Sequence, residues 1–467
     1  MPIFSSMKTY DVLVIGGGSA GTSAAATAQA ALGPDAKVGL FNKGELGGLC
    51  ILRGCMPTKT MLHAGHLAHE ASAHHTPGIG QSTLAIDFEA VMANKDAKVA
   101  RFKKAKLGGI ASGGYEVIDA YARFSGPDTI EADGETYHFT KGAVLAAGSD
   151  VATPPIPGIE GVNVWDSDSV MDLKEVPESA IVMGGGAIGL ELGLFLARMG
   201  CVTIQANRSR IFSKLDAELA DEMQKVLEAE PNMTLVAPFD ATGIEVKDGM
   251  VHLHLDTAEG PRTLVAKHFV AATGRNARLE NMGLEVAGVE FHRGRVQCDG
   301  AMRTTNPRIF VAGDATGEDL LLHIANWEGK AAGNGAAEVP GDHTVERRLH
   351  MTAIFTDPPL ATIGLTQMAA EAASIPVVTA SAKLAQTGRA ITMDVQHGLW
   401  KMVAHKETGA ILGCQILGPR ADDIIHIIST AMYYNGTAMD LLEMPWYHPT
   451  ISEVGLTLAR QLVAQVD

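Results

Sequence analysis

Two stretches of the chain repeat one pattern of apolar, glycine and small residues. Each begins with an uninterrupted apolar run, Val12-Leu-Val-Ile15 in the first and Ala180-Ile-Val-Met183 in the second. A glycine-rich turn, a run of small or apolar residues and a second predicted strand (38–41 and 202–205) follow. A short continuous apolar run bounded by turn residues is typical of a strand buried on both faces. Each stretch therefore predicts a strand, a tight turn, a helix and a second, parallel strand.

The three glycine positions of each turn have different predicted roles. The first makes the turn, the second lets the backbone approach a pyrophosphate, and the third lets the helix pack against the strand. These positions are Gly16, Gly18 and Gly21 in the first stretch and Gly184, Gly186 and Gly189 in the second. The start of each helix offers free N–H groups to the phosphates, and we include Ser19 and Ile188 there. Two such turns in one chain predict two dinucleotide-binding units.

Composition narrows the class of protein. The chain has 467 residues, 46% of them hydrophobic, and a net charge of −16, which disfavours a nucleic-acid partner. Its apolar runs are shorter than the ~18 residues of a membrane helix, and its start does not resemble a secretion signal. Five cysteines are too few for a disulfide scaffold. We therefore expect a soluble, cytoplasmic protein without a membrane partner.

Two of the cysteines, Cys50 and Cys55, are the strongest candidates for chemistry. Their spacing matches none of the usual zinc motifs, so no metal site is predicted. In a regular helix their Cα atoms would lie ~8–9 Å apart, beyond the ~7 Å limit for a disulfide. Gly54 and Pro57 could distort the helix enough to allow one. A thiolate near a helix start, with Arg53 and Lys59 close in sequence, would be a good nucleophile, whereas the alternative is a pair of inert buried thiols.

Six motifs, in order along nearly the whole chain, resemble those of the flavin-dependent pyridine nucleotide–disulfide oxidoreductases. This group includes dihydrolipoamide dehydrogenase, glutathione reductase and mercuric reductase, and the first of these has the most similar motifs. The motifs are the cysteine segment 47–59, the turns 145–149 and 270–275, the segment 305–314, the segment from Phe355 to Gly364, and His448-Pro-Thr-Ile-Ser-Glu453.

The resemblance implies an α/β fold with two Rossmann-like dinucleotide-binding domains and a C-terminal α+β dimerisation domain. Residues 1–152 and 275–345 would form a discontinuous FAD-binding domain, and residues 153–274 an inserted NAD(P)-binding domain. Residues 346–467 would form the interface of an obligate homodimer.

The family motifs also imply catalytic roles for four residues. Cys55 would face the flavin, and Cys50 would exchange with the substrate. His448 would be the acid–base group, with Glu453 fixing the tautomer of its imidazole. The family places this histidine opposite the cysteines of the other subunit, and a cis peptide bond between His448 and Pro449 is expected.

Further cofactor-binding residues follow from the same motifs. Lys59 would lie near the flavin with Glu191 as its ion-pair partner. Asp314 would contact the ribityl chain of FAD, and His323 would lie in the segment beside the flavin. The two flavin-domain-like turns contribute Gly148 and Gly274.

The chain departs from the family at two strand ends. Asn42 stands where a glutamate usually binds the adenosine ribose of FAD. At the second strand end Ala206 stands where NAD-selective members have a carboxylate, and Arg208 and Arg210 follow. Because guanidinium groups suit a 2′-phosphate, NADP(H) is favoured over NAD(H), although Gly189 is more usual in NAD-selective relatives.

The predicted function is electron transfer between NAD(P)H and a small-molecule or protein-bound disulfide or dithiol through FAD and the Cys50–Cys55 pair. One alternative is an NAD(P)H-dependent reductase of quinones or metal ions on the same scaffold. The other alternative is a structural flavoprotein subunit of a larger complex. The sequence does not identify the disulfide substrate.

Overall fold

The computed structural model describes residues 7–74, 76–80 and 84–466. The chain forms two compact units, each built from three segments. The first unit comprises Met1–Pro57, Asn94–Ala152 and Gly274–Val345, and the second Thr58–Ala93, Thr153–Thr273 and Glu346–Asp467. The three-domain division expected from the sequence stays a prediction.

The described residues form both strands and α-helices. The strands are β1 (Lys8–Ile15), β2 (Val38–Phe41), β3 (Glu116–Ile118), β4 (Ala122–Gly126), β5 (Thr129–Ala132), β6 (Glu135–Leu145), β7 (Ser149–Val151), β8 (Val164–Trp165), β9 (Ser179–Met183), β10 (Val202–Ala206), β11 (Met233–Val236), β12 (Asp240–Lys247), β13 (Met250–Thr257), β14 (Gly260–Ala266), β15 (His268–Ala271), β16 (Arg275–Ala277), β17 (Phe291–His292), β18 (Arg295–Val296), β19 (Ile309–Val311), β20 (Met351–Ile354), β21 (Leu360–Gly364), β22 (Val377–Lys383), β23 (Leu399–His405) and β24 (Ile411–Leu417). The α-helices are α1 (Ser19–Leu32), α2 (Leu49–Leu52), α3 (Cys55–Ala73), α4 (Phe88–Ala111), α5 (Ser167–Met171), α6 (Ala187–Arg198), α7 (Ala217–Glu228), α8 (Leu284–Ala287), α9 (Leu322–Ala336), α10 (Gln367–Ala372), α11 (Gly388–Ile391), α12 (Ala421–Tyr433), α13 (Ala438–Glu443) and α14 (Val454–Val463).

The first unit is built on a seven-stranded sheet in the order β3-β2-β1-β6-β5-β4, with β19 also paired to β6. Strands β1, β2, β3, β6 and β19 pair in parallel, whereas β4 and β5 add an antiparallel edge. Helix α1 packs closely against α9 because both carry small residues: a Cβ on Gly329 would lie 2.3 Å from the Ala20 carbonyl oxygen. The first predicted strand–turn–helix–strand unit is therefore confirmed at the centre of this sheet.

The second unit contains the other predicted dinucleotide-binding unit and the C-terminal region. A parallel sheet has the order β11-β10-β9-β15-β8, and a three-stranded antiparallel sheet, β12-β13-β14, interrupts the chain between β11 and β15. The C-terminal segment forms a five-stranded antiparallel sheet, β20-β21-β24-β23-β22, against which α12 and α14 pack. Trp400 in β23 is fully buried there.

This arrangement confirms the predicted fold class. In each dinucleotide-binding unit, the strands before and after the glycine turn and its helix pair in parallel, and the C-terminal region contains both helices and strands. Within the described residues, no helix combines the length and apolar character needed to cross a membrane.

Candidate active site

The two glycine turns have nearly the same geometry, and each glycine position has a different steric reason. A Cβ on Gly16 or on Gly184 would lie 2.1 Å from a carbonyl oxygen, and both residues have a positive φ. A Cβ on the third glycine would lie 1.8 Å from the Gly16 oxygen in the first turn and 2.1 Å from the Gly184 oxygen in the second. These four positions therefore exclude any larger residue.

The second glycine of each turn has a different environment. A Cβ on Gly18 would come no nearer than 3.9 Å to the protein, and a Cβ on Gly186 would have no described protein atom within 4 Å. A side chain would therefore fit the fold at either position but would fill the space in front of the helix start. Both turns fit the phosphates of a dinucleotide, which need close backbone approach at this point.

The structure corrects one sequence alignment at the second turn. Asn42 accepts a hydrogen bond from the Gly17 N–H (3.1 Å), and Asn207 accepts the same bond from the Gly185 N–H (3.0 Å). The strand registers agree, because the residues before them, Phe41 and Ala206, pair with the last residue before each turn. The position equivalent to Asn42 is therefore Asn207, and the prediction that Ala206 occupies it was wrong.

The cysteines lie on two separate helices. Gly47 and Gly48 both have positive φ values (128° and 88°) and lead into the short helix α2, which carries Cys50. This helix ends at Leu52, and α3 begins with Cys55. The helix break therefore falls between the two cysteines, at Arg53 and Gly54. Pro57, which was also expected to distort the helix, lies in the first turn of α3, where proline is tolerated. Cys50 is half-buried and Cys55 is exposed.

The second unit contains the predicted ion pair between Lys59 and Glu191. The Lys59 Nζ donates to both carboxylate oxygens of Glu191, at 2.9 and 2.7 Å. The Glu191 side chain is almost completely buried, and its Oε1 also accepts the Phe355 N–H at 3.0 Å. The Lys59 Nζ lies 4.6 Å from the centre of the Phe355 ring. Phe355 thus contacts both members of the pair, a role that its place in a family motif did not reveal.

In the first unit, Asp314 belongs to a polar cluster with two residues that the sequence did not single out. Its carboxylate accepts a hydrogen bond from the Ser149 hydroxyl, which in turn accepts one from the Arg275 Nε at 2.9 Å. Arg275 Nη2 also donates to the Ser149 carbonyl at 2.9 Å. This cluster joins the ends of β7, β16 and β19, because β7 and β16 pair with each other.

Three further predicted cofactor-binding residues, two glycines and a histidine, lie in the first unit. Gly148 and Gly274 have φ values of 79° and 121°, which a residue with a side chain rarely adopts. His323 is exposed in the first turn of α9. In the second unit, Ile188 is 38% exposed in the first turn of α6.

His448 and Glu453 form the predicted pair in the second unit. The Nδ1 atom of His448 lies 2.9 and 3.2 Å from the two oxygens of Glu453. Between them, the Thr450 hydroxyl donates to the Tyr447 carbonyl at 2.8 Å and accepts the Glu453 N–H at 3.2 Å. The expected cis bond between His448 and Pro449 is present. A carboxylate on Nδ1 leaves Nε2 of the imidazole to exchange protons.

The two arginines after β10 differ in their contacts. Arg210 forms an ion pair with Asp221 and donates to the Ala217 carbonyl at 3.2 Å. Arg208 is exposed, and its carbonyl accepts the Phe239 N–H. The remaining cysteines are Cys201 and Cys414, both buried, and the exposed Cys298; burial raises the pKa of the Cys201 and Cys414 thiols.

Comparison with known proteins assigns the family. The family described as pyridine nucleotide-disulphide oxidoreductase matches residues 10–330, and its dimerisation domain matches residues 351–459. The chain is 34% identical over 466 residues to a dihydrolipoyl dehydrogenase of Thermus scotoductus, with 98% of each chain covered. It is 31% identical over 459 residues to a mercuric reductase of Staphylococcus aureus, covering 98% of this chain and 83% of the relative.

A solved structure has the same fold. The HOCl-induced flavoprotein disulfide reductase RclA from Escherichia coli, in its Cu(II) complex, superposes with a TM-score of 0.84 and 24% identity. The superposition covers 98% of this chain and 100% of the other. The family matches also support the use of FAD and a pyridine nucleotide. The geometry of the two glycine turns and the two family matches lead to one conclusion: this chain belongs to the pyridine nucleotide-disulphide oxidoreductase family.

Proposed function

We propose that the chain reduces a disulfide substrate, or oxidises the corresponding dithiol, through the pair Cys50 and Cys55. The observation that supports this most is the helix break between α2 and α3. An unbroken helix would hold residues five apart too far from each other for a disulfide, whereas the break at Arg53 and Gly54 removes that constraint.

The proposed exchange has two steps. The Cys50 thiolate attacks one sulfur of the substrate disulfide, and the other sulfur leaves as a thiolate that takes a proton from His448. Cys55 then attacks the Cys50 sulfur, so that the second substrate thiol leaves and the two cysteines become a disulfide. Glu453 accepts a hydrogen bond from Nδ1 of the imidazole and stabilises its charged form. In the proposed homodimer, each subunit supplies the histidine to the cysteines of the other.

The residues around the first glycine turn fit FAD. Gly16, Gly18 and Ser19 would hold its phosphates, Asn42 its adenosine ribose and Asp314 its ribityl chain. When bound, FAD supplies the redox chemistry that returns the cysteine disulfide to the dithiol, using the electron pair delivered by NAD(P)H. Lys59 and Glu191 would lie beside the flavin, where the ammonium group stabilises negative charge.

An anaerobic titration of the purified flavoprotein with NADPH and with NADH tests the proposal. We expect a long-wavelength charge-transfer absorbance to develop in the wild-type protein and to be absent from Cys55→Ser. The matched control is Cys298→Ser, which alters an exposed thiol in another part of the first unit. Direct bleaching of the flavin in the wild-type protein without that absorbance would contradict the proposal.

We also infer that NADP(H) is the preferred nucleotide. Asn207, which takes the place of a ribose-binding carboxylate, is neutral and does not repel a 2′-phosphate. Of the two nearby arginines, Arg208 is the better candidate for that phosphate, because Arg210 is paired with Asp221.

Steady-state kinetics with both nucleotides test this preference. We expect kcat/KM to be higher for NADPH than for NADH, and Arg208→Leu to lower only the NADPH value. Arg210→Leu serves as the comparison. A higher kcat/KM for NADH in the wild-type protein would contradict the preference.

A second candidate function is supported by the mercuric reductase relatives, which are 30–31% identical to this chain. On the same scaffold, the reduced cysteines or the flavin could deliver electrons to a metal ion or a quinone as substrate. Turnover by Cys50→Ser distinguishes the two functions. Loss of turnover with disulfides alone would indicate that metal ions or quinones are reduced without Cys50. Loss of turnover with every acceptor would indicate that all electrons pass through the cysteine pair. The cytoplasmic location remains a prediction.

A further inference from the structure

Helix α4 brings positive charge to the cysteine segment of a chain that is acidic as a whole. Its sequence from Lys95 to Lys106 contains six basic residues and one acidic residue, whereas the net charge of the chain is −16. Two of these lysines, Lys103 and Lys106, contact residues of the first unit around the segment that carries Cys50.

Two contacts place the Lys106 side chain beside this segment, one at its ammonium group and one along its aliphatic chain. Its Nζ donates a hydrogen bond to the Thr22 hydroxyl at 2.9 Å, and that hydroxyl donates its own proton to the Gly18 carbonyl at 2.8 Å. Its Cγ lies 3.7 Å from the position that a Cβ on Gly47 would occupy. The lysine stem therefore lies against the glycine turn that leads into α2, three residues before Cys50.

The Lys106 ammonium and Cys50 interact electrostatically. Burial lowers the pKa of Lys106, because it disfavours the charged ammonium, and the neighbouring Cys50 opposes that effect. Such an interaction is reciprocal: a thiolate that stabilises the ammonium is stabilised by it to the same extent.

The other charges around this segment are partly balanced by a carboxylate. Lys103 Nζ lies 2.9 Å from Oε1 of Glu45, and Arg53 Nε lies 3.8 Å from Oε2 of the same residue. The Thr22 hydroxyl that holds Lys106 is neutral, so this contact fixes the position of the ammonium group without cancelling its charge.

We propose that Lys106 is a positioning residue that stabilises the thiolate of Cys50. The inference rests on the proposed function, in which Cys50 is the thiol that exchanges with the substrate. Thr22 and the side-chain-free Gly47 fix the lysine in place, and the ammonium favours the ionised form of Cys50. Lys106 thus makes Cys50 the better nucleophile for the first step of exchange.

The pH dependence of Cys50 alkylation tests the inference in the FAD-containing protein. The protein is reduced with dithiothreitol, freed of reductant, and treated with iodoacetamide between pH 5 and 10, and the Cys50 peptide is quantified by mass spectrometry. We expect Lys106→Met to raise the midpoint for Cys50 by about one pH unit, the low end for loss of a nearby opposite charge. Lys106→Arg should stay near the wild-type midpoint.

The expected change in rate is smaller than the change in thiolate population. Below the midpoint, a shift of one unit lowers the thiolate fraction about tenfold, but the more basic thiolate is about threefold more nucleophilic. Alkylation of Cys50 at pH 6.5 should therefore be about threefold slower in Lys106→Met. The midpoint, rather than the rate at one pH, is the decisive readout.

Two controls separate this effect from a general change in the protein. Lys104→Met removes an exposed lysine from the same helix and should leave the Cys50 midpoint unchanged. The exposed Cys298 reports in every sample whether alkylation as such has changed. If Lys106→Met fails to fold, Lys106→Gln, which keeps a donor for Thr22, replaces it with the same expected direction.

The outcomes are distinct. An unchanged Cys50 midpoint in Lys106→Met, or an equal shift in Lys104→Met, overturns the inference. Because chemical reduction needs no nicotinamide, the inference can hold even if the NADPH titration fails, and that result would overturn the proposed function alone. A normal titration with an unshifted midpoint would overturn the inference alone.

Discussion

Thr450 holds the turn that joins the proposed acid–base histidine to its carboxylate. Its hydroxyl can donate only one proton, which goes to the Tyr447 carbonyl, and its oxygen accepts the Glu453 N–H and a bond from the Ser452 hydroxyl (3.0 Å). All three contacts lie within the loop before α14. At the scale of single residues, the Thr450 hydroxyl therefore fixes the backbone on both sides of the cis Pro449.

We expect Thr450→Val to lower kcat about tenfold, since the three lost neutral hydrogen bonds are worth about 1 kcal/mol each and part of this loss loosens the His448–Glu453 pair. Thr450→Ser keeps the hydroxyl and should restore kcat. An unchanged kcat in Thr450→Val, or a failure of Thr450→Ser to restore it, would show that the hydroxyl has no positioning role.

At the scale of elements, each glycine turn combines two positions fixed by the protein with one that leaves space. In the second turn, a Cβ on Gly189 would lie 2.1 Å from the Gly184 oxygen, whereas a Cβ on Gly186 would have no described atom within 4 Å. The φ of Gly186 is −91°, which alanine adopts without strain. Fold and nucleotide binding can therefore be separated within one turn.

We expect Gly186→Ala to fold and retain FAD but to raise KM for NAD(P)H about tenfold or more, because the added methyl group fills space that the pyrophosphate needs. Gly189→Ala should lower the melting temperature, because helix α6 must move away from the turn. Circular dichroism melting and steady-state kinetics measure the two effects. Equal melting temperatures for the two variants would contradict this division.

At the scale of the whole molecule, an ionic cluster built on the buried pair Arg198 and Glu230 joins distant parts of the chain within the second unit. Arg198 donates to both oxygens of Glu230 (3.0 and 2.9 Å) and to Asp357 (2.9 Å), and His69 Nδ1 lies 3.4 Å from Glu230. Burial alone would raise the pKa of Glu230, but the hydrogen bonds from His69 and Arg198 outweigh burial. The net pKa of Glu230 lies below its usual value, so the carboxylate stays charged. Four segments of the chain thus depend on one another for charge balance.

His66 lies beside this cluster and makes its stability depend on pH. Its Nε2 is buried with no hydrogen-bond partner among the described residues. Burial lowers its pKa, with Arg198 and His63 acting in the same direction and Asp357 and Glu230 against it. The unfolded chain therefore binds a proton at a higher pH than the folded one. The stability linked to His66 is fully present above about pH 6.5, the ordinary pKa of histidine, and is lost as the pH falls from there through the lower pKa of the folded state.

We expect His66→Leu to reduce the drop in melting temperature between pH 7.5 and pH 5.5, because the variant no longer takes up this proton on unfolding. Release of flavin fluorescence on heating provides the measurement. His426→Leu, which changes an exposed histidine of α12, is the control and should keep the wild-type drop. A drop in His66→Leu as large as in the wild-type protein would contradict the assignment.

The sequence by itself determined the features that depend on local pattern. Continuous apolar runs and fixed glycine spacings specify the strand–turn–helix units, because burial on both faces and steric exclusion act over a few residues. The His448–Glu453 contact was implied by resemblance to a family motif, although its two residues are only five positions apart in one loop. The pair of Lys59 and Glu191, 132 residues apart, was accessible only through resemblance to a family.

The tertiary structure alone decided the contacts that join distant segments. Strand register, rather than residue order, made Asn207 the equivalent of Asn42, since a loop of different length precedes each strand. Phe355 reaches Glu191, Arg275 reaches Ser149, and Lys106 reaches Thr22 only because strands and helices far apart in the chain pack together. Pattern in a sequence reports which face of an element is buried, but not which other element covers it. The charges and hydrogen bonds around a site depend on that covering element, and so only folding specifies them.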